Sequence, residues 1–123
     1  MPRPWRDKFR DAFRGLALAI RSERSFLVHL PMAAAVLVAG VVLRVSLLEA
    51  CLLGLCVTIV LAAETFNTAL EQLAKEITRE RNPGIAAALD MASGAVLITA
   101  TGAAAAGAAI FLYRAGALLH WWA

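Results

Sequence analysis

Charge is scarce in this chain. Asp, Glu, Lys and Arg make up 17% of 123 residues against 61% hydrophobic ones, and mean hydropathy is +0.72. That is more apolar surface than a water-soluble domain of this size can hide, so a soluble enzyme module is excluded and a single membrane domain over 1–123 is expected. Cysteine is scarce too. Cys51 and Cys56 sit in an apolar run without Cys-x-x-Cys spacing, and read as packing residues rather than a metal, redox or disulfide site. No apolar run begins before about residue 30, so a signal peptide is not expected and the N-terminus reads as retained. Polar side chains are thin between Leu47 and Ala63, where only Glu49 and Thr58 are strongly polar. That argues against an ion channel or transporter.

The chain has long hydrocarbon-like segments instead. Leu30 to Leu48 is apolar apart from Arg44, Leu47 to Ala63 apart from Glu49, and Ile85 to Tyr113 apart from Asp90. A bilayer core about 30 Å thick needs roughly 20 such residues at about 1.5 Å each. The expected architecture is therefore an all-α membrane protein with transmembrane helices over 30–48, 47–77 and 85–113, the second with a cytoplasmic extension, after a surface helix over about 4–24. The basic residues set the expected orientation. Arg3, Arg6, Lys8, Arg10, Arg14, Arg21 and Arg24 precede the first span, Lys75, Arg79 and Arg81 lie between the second and third, and Arg44 and Arg114 stand alone at the opposite ends. The positive-inside rule places the N-terminus and the second loop in the cytoplasm, with His120, Trp121 and Trp122 on the other side. The two tryptophans read as interfacial anchors.

The segment before the first span is patterned. At about 100° per residue, Trp5, Phe9, Phe13, Leu16 and Ile20 fall within an arc of roughly 80°, with Arg3, Arg10, Arg14 and Arg21 opposite. This predicts an amphipathic interfacial helix whose arginines meet anionic lipid or an anionic ligand. The net charge of +3 and pI of about 9.4 express mainly this face. Nucleic-acid binding would leave the apolar stripe without a use, and no nucleic-acid partner is expected.

Directly after the second apolar run comes Glu64-Thr65-Phe66-Asn67-Thr68-Ala69-Leu70-Glu71. Relative to Glu64, helical rotation puts Asn67 at about −60°, Glu71 at about −20°, Lys75 at about +20° and Thr68 at about +40°. They share one stripe, at the depth where the helix leaves the hydrocarbon. Carboxylates beside lipid are costly unless paired, hydrated or bound to a cation. Two acids and an amide suit Mg²⁺, which binds through one or two carboxylates plus substrate phosphates, and one acid could instead deprotonate an alcohol. Phosphoryl transfer uses both features. A solvated helix whose glutamates face water is the alternative left open by spacing alone. Asp90 lies six residues into the third apolar stretch, before the small residues Ala92, Ser93, Gly94 and Ala95, and Glu23 stands at the junction of surface helix and first span, followed by Arg24, Phe26 and His29.

Taken together these residues resemble a known family. Glu64-x-x-Asn67-Thr68-Ala69-x-Glu71, a short loop, then Asp90-x-x-x-Gly94-Ala95-Val96-Leu97, preceded by Phe13-Arg14-Gly15-Leu16 and Glu23-x-x-Phe26, is similar to the signature of the small prokaryotic integral-membrane diacylglycerol kinases and the related undecaprenol kinases. The resemblance implies a homotrimer with active sites between subunits at the cytoplasmic interface, using ATP as co-substrate. It implies Glu64 as general base, Glu23 and Glu71 holding Mg²⁺, Asn67 supporting the site and Asp90 organising it from the third helix beside the nucleotide. Arg3, Arg6 and Arg10 on the basic face would help hold ATP. The acceptor would be a lipid hydroxyl at Glu64, with Glu23 and His29 beside it.

Two positions depart from the family pattern. Leu89 stands where the family carries a phosphate-contacting lysine, and Lys75 stands where it usually carries an acid. Lys75 lies on the same stripe as Glu71, and a flexible ammonium can serve as a point charge for phosphate, which makes it the candidate to take over the missing lysine's task. Leu89 also keeps a second reading in view, a weak or inactive homologue that binds lipid or nucleotide without transfer. Diacylglycerol is the expected acceptor on the breadth of the resemblance. Undecaprenol is the alternative, because His29 occupies a position that is histidine in the undecaprenol-kinase branch. Oligomerisation would also shield Asp90 and the Glu64 stripe from lipid, with Gly94, Gly102 and Gly107 allowing close approach.

Overall fold

The computed structural model describes residues 2–120. The expected anchors Trp121 and Trp122 lie outside the described residues. The chain forms four helices, α1 (Trp5–Ser22), α2 (Ser25–Val42), α3 (Leu47–Ile77) and α4 (Pro83–Leu118), and no strand among the described residues.

Each boundary has a local cause. α1 starts after Pro4, places Asp7 in its first turn, where a negative charge meets the positive end of the helix dipole, and stops where Glu23 turns extended at φ −116° and ψ 129°. The chain then bends by 107° into α2. The apolar run expected to form one span over 30–48 does not stay helical throughout. α2 ends at Val42, and Arg44 adopts the left-handed conformation at φ 53°. The Val45 N–H donates to the Gly40 carbonyl at 3.2 Å, closing the turn. α3 opens on a capping box, with Ser46 Oγ accepting from the Glu49 N–H at 3.2 Å and the Ser46 N–H donating to Glu49 Oε1 at 2.9 Å. α4 opens on Asn82, whose Oδ1 accepts from the N–H groups of Gly84 and Ile85 at 2.9 and 3.2 Å, with Pro83 in the first turn where its missing N–H costs nothing.

α3 and α4 pack along each other as the main pair, and α2 and α1 lie against α3. The apolar interior is thin, consisting of Ala19, Phe26, Leu53 and Val60. Most large apolar side chains are exposed, among them Leu47, Leu48, Leu97 and Ile98, a surface suited to lipid or to further protein. α3 and α4 are each long and apolar enough to cross a membrane, and the bent pair of α1 and α2 brings the number of possible crossings to three. At about 1.5 Å per residue, α3 and α4 run roughly 46 and 54 Å. At one end of this pair, Arg114 Nε donates to Glu49 Oε1 at 2.7 Å, and Arg114 Nη2 contacts the same oxygen. Arg114, solitary in the sequence, thus ties the last turns of α4 to the first turn of α3. The acidic stripe lies toward the other end.

Candidate active site

α3 carries the site because one of its faces is covered. Val60, Glu64 and Thr68 fall on that face and are buried, Glu64 at 4% and Thr68 at 3% exposure. A carboxylate so enclosed requires a partner. His29, from the second turn of α2, places Nε2 2.7 Å from Glu64 Oε1. The sequence marks both residues but not their contact, since pairing between helices leaves no trace in periodicity.

Flanking Thr68, Asn67 and Glu71 are joined, with Asn67 Nδ2 donating to Glu71 Oε1 at 3.0 Å. α1 stops at Glu23, and that side chain lies close enough to Glu71 for the two carboxyl groups to interact. Burial, then the neighbouring Glu71 carboxylate, push the Glu23 carboxyl above its ordinary range; Lys75 opposes the shift and Glu64 adds to it. Glu23, Glu64, Glu71 and Lys75 therefore share one electrostatic neighbourhood, with Asn67 beside them.

Two polar atoms within this neighbourhood lack partners. Asn67 Oδ1 and Thr68 Oγ1 are buried and make no hydrogen bond with a described residue. Thr65 satisfies its own hydroxyl on the Leu61 carbonyl at 2.8 Å, the usual solution for a helical threonine, whereas Thr68 does not. Orphaned buried groups are rare in folded proteins and call for a ligand or a functional reason. For a cation, the fit is limited and specific. Among the described residues no group of three His, Cys, Asp or Glu side chains is arranged to hold a metal. Glu23, Glu71 and the Asn67 amide oxygen form a two-carboxylate set, which suits an ion that takes its remaining ligands from water and phosphate.

The other expected site residues lie at the edge of this cluster or away from it. Lys75 is exposed and, with Glu71, Arg81, Asn82 and Leu89, lines a cavity of about 370 Å³ between the end of α3 and the start of α4. Arg81 and Asn82 were not singled out by spacing, because a loop has no period. Asp90, expected to be shielded by oligomerisation, is exposed on α4 of the single chain and makes no hydrogen bond or ion pair with a described residue. Apolar neighbours in sequence do not bury a helical residue whose own face is uncovered. On α1, Arg3 pairs with Asp11, Arg10 lies 3.4 Å from Asp7, and Arg14 3.3 Å from Asp11. The hydrogen bond from Arg3 holds the Asp11 carboxyl below its usual range. Arg6 is exposed.

A mostly apolar four-helix chain with carboxylates gathered where α1 meets α3 defines a small integral-membrane protein with an acidic site. Residues 10–111 match the family described as prokaryotic diacylglycerol kinase, and the chain belongs to that family. As a member it is a lipid kinase. It is similar to an undecaprenol kinase of Bacillus subtilis, 36% identical over 104 residues covering 85% of each chain. It is also similar to a diacylglycerol kinase of Synechocystis, 31% identical over 105 residues, which cover 85% of this chain and 60% of that one. No solved structure matches.

Proposed function

We propose that this protein transfers the γ-phosphoryl group of ATP to the hydroxyl of a membrane lipid alcohol, with diacylglycerol as acceptor and phosphatidic acid as product. The observation that carries the reading is the position of the buried Glu64 carboxylate beside the Glu23, Glu71 and Asn67 cluster. Glu64 takes the proton of the lipid hydroxyl. The alcohol oxygen forms the new bond to the γ-phosphorus as the bond from that phosphorus to the bridging oxygen breaks, and ADP leaves with the electron pair. Glu23 and Glu71 would hold Mg²⁺ with support from Asn67, and when bound that ion neutralises phosphate charge during transfer. Lys75 adds a positive charge within reach of the same phosphates, which suits a chain that carries Leu89 where its family has lysine.

The rest of the molecule serves this chemistry in the same reading. α1 lies in the headgroup layer with Trp5, Phe9 and Phe13 toward lipid, and Arg3, Arg6 and Arg10 steer nucleotide. The N-terminus and the α3–α4 loop face the cytoplasm of the inner membrane. Asp90, exposed on an apolar helix, meets the site of a neighbouring copy in a homotrimer, since an ionisable side chain facing hydrocarbon requires a partner. Undecaprenol is the second reading, favoured by His29 and by the similarity to the Bacillus subtilis enzyme.

The test is a radiolabelled-ATP assay in mixed micelles containing Mg²⁺ and either diacylglycerol or undecaprenol. Labelled phosphatidic acid, lost in Glu64→Gln and Glu71→Gln, is the expected result. Labelled undecaprenyl phosphate alone would replace the acceptor. No transfer to either lipid would leave a binding homologue and overturn the reaction.

A further inference from the structure

Two adjoining cavities open where α1 lies against α3. One, of about 580 Å³, is walled by Leu16 and Ile20 from α1, Phe26 and Leu30 from α2, and Leu61 and Phe66 from α3. The other, of about 770 Å³, runs on to Ser22, Thr68, Gln72 and Glu76. Leu16, Thr65 and Ala69 line both, so the two form one groove with a hydrocarbon end and a polar end. A groove of that kind suits an amphiphile. On the α3 helical wheel Thr68, Gln72 and Glu76 lie about 40°, 80° and 120° from Glu64, on the side away from Asn67 and Glu71.

Thr68 is the residue in this groove that the fold itself does not explain. It is 3% exposed, and its Oγ1 makes no hydrogen bond with a described residue. It forgoes the bond to the carbonyl one turn back that Thr65 makes to Leu61, while Ser22 Oγ already donates to the Ala19 carbonyl at 3.3 Å. A buried hydroxyl left open on a cavity wall points to an acceptor carried by a ligand. Charge narrows the ligand further. Among the described lining residues Glu76 alone is charged and no cation is present, so the headgroup that fits is neutral and free of phosphate.

We propose that Thr68 is a specificity-determining residue whose hydroxyl donates to an ester carbonyl of a diacylglycerol seated in this groove. The inference rests on the reading of Glu64 as the base and diacylglycerol as the acceptor. Side chains one turn apart on a helix have Cβ atoms about 5–6 Å from each other, so Thr68 stands beside the place where an alcohol meets Glu64. In a diacylglycerol the free hydroxyl and the nearest ester sit on neighbouring glycerol carbons. A hydroxyl at Glu64 therefore brings a carbonyl within reach of Thr68, and the acyl chains follow the hydrocarbon end past Leu16, Phe26 and Leu61. A polyprenol has no oxygen besides its alcohol. It would leave the Thr68 donor buried and unanswered, and a site discriminates against the ligand that fails to supply such a partner.

The experiment uses the full-length protein in mixed micelles with ATP and Mg²⁺. It measures kcat/KM for diacylglycerol, for its diether analogue, which lacks the carbonyls, and for undecaprenol. Wild type should favour the diester over the diether by about 10-fold, the scale of one hydrogen bond to a buried donor. Thr68→Val keeps the shape and removes the hydroxyl. It should lower kcat/KM for the diester by about that same factor and leave the diether, and KM for ATP, unchanged. Thr68→Ser should recover most of the loss. An equal fall for diester and diether would mark a packing role and overturn the proposal, as would no fall at all. If Thr68→Val does not fold, the wild-type preference decides, and equal rates with diester and diether overturn the proposal. Undecaprenol separates the two levels. A wild type active on undecaprenol alone overturns the acceptor reading and this proposal together, whereas equal phosphorylation of both diglycerides removes only the role of Thr68.

Discussion

The two ends of the α3–α4 pair treat charge in opposite ways. At one end Glu49 is met by the Ser46 backbone and by the Arg114 guanidinium, so both charges are answered and the first turn of α3 is capped by the same carboxylate. At the other end Glu23 and Glu71 press like charges together, Glu64 is buried, and Asn67 Oδ1 and Thr68 Oγ1 have no partner. A fold selected only for stability would match both ends. Matched charge holds the helices together, whereas unmatched charge is a cost tolerated where a ligand will supply the missing partners. In the proposed reading, the contrast separates structural acids from chemical ones within a single helix.

The largest effect that would break this contrast is on the reaction itself. Glu64→Gln should reduce turnover by about 10²- to 10⁴-fold, the usual contribution of a general base, while Glu49→Gln should leave turnover within about twofold; a comparable loss in both would show that the two ends are not distinct. Next in size is the cation dependence. Glu71→Gln should raise the Mg²⁺ concentration needed for half-maximal rate by on the order of 10-fold or more, since the proposed site would lose one of its two carboxylates, and a titration of rate against Mg²⁺ reads it directly. Arg114→Leu should do the reverse of Glu64→Gln, lowering the thermal midpoint in detergent by several degrees while kcat at 25 °C stays near wild type. The smallest effect concerns α1. The Asp11 carboxyl is held low by Arg3, so the stabilisation it gives is complete above the ordinary aspartate range and is lost as pH falls through the lowered value. Helicity followed by circular dichroism should stay flat from neutral pH down to about 4 and decline only below that, and Asp11→Asn should remove the pH-dependent part.

Much of this was legible in the sequence because helices impose a period. The stripe of Glu64, Thr68 and Glu71 could be placed on one face by counting residues, and the face is indeed the covered one at Glu64 and Thr68. The membrane character followed from composition. What periodicity could not reach was contact between elements. The His29–Glu64 bond and the Glu49–Arg114 bond join residues 35 and 65 positions apart, and nothing local announces either. The turn at Arg44 was marked in the sequence by its charge between two apolar runs, whereas its left-handed conformation, on arginine rather than glycine, was not. Asp90 was read as a residue that only oligomerisation would shield, and its face of α4 is uncovered in the single chain.

The length of α3 has a physical corollary. At roughly 46 Å it exceeds the about 30 Å of hydrocarbon it would cross, and its capped start and the bond to Arg114 hold its first turn to α4. The helix then behaves as a rigid ruler. A thicker membrane would draw Glu64 and Glu71 toward acyl chains and a thinner one would lift them into water, so the host lipid's chain length becomes a setting on the reaction rather than a passive surrounding.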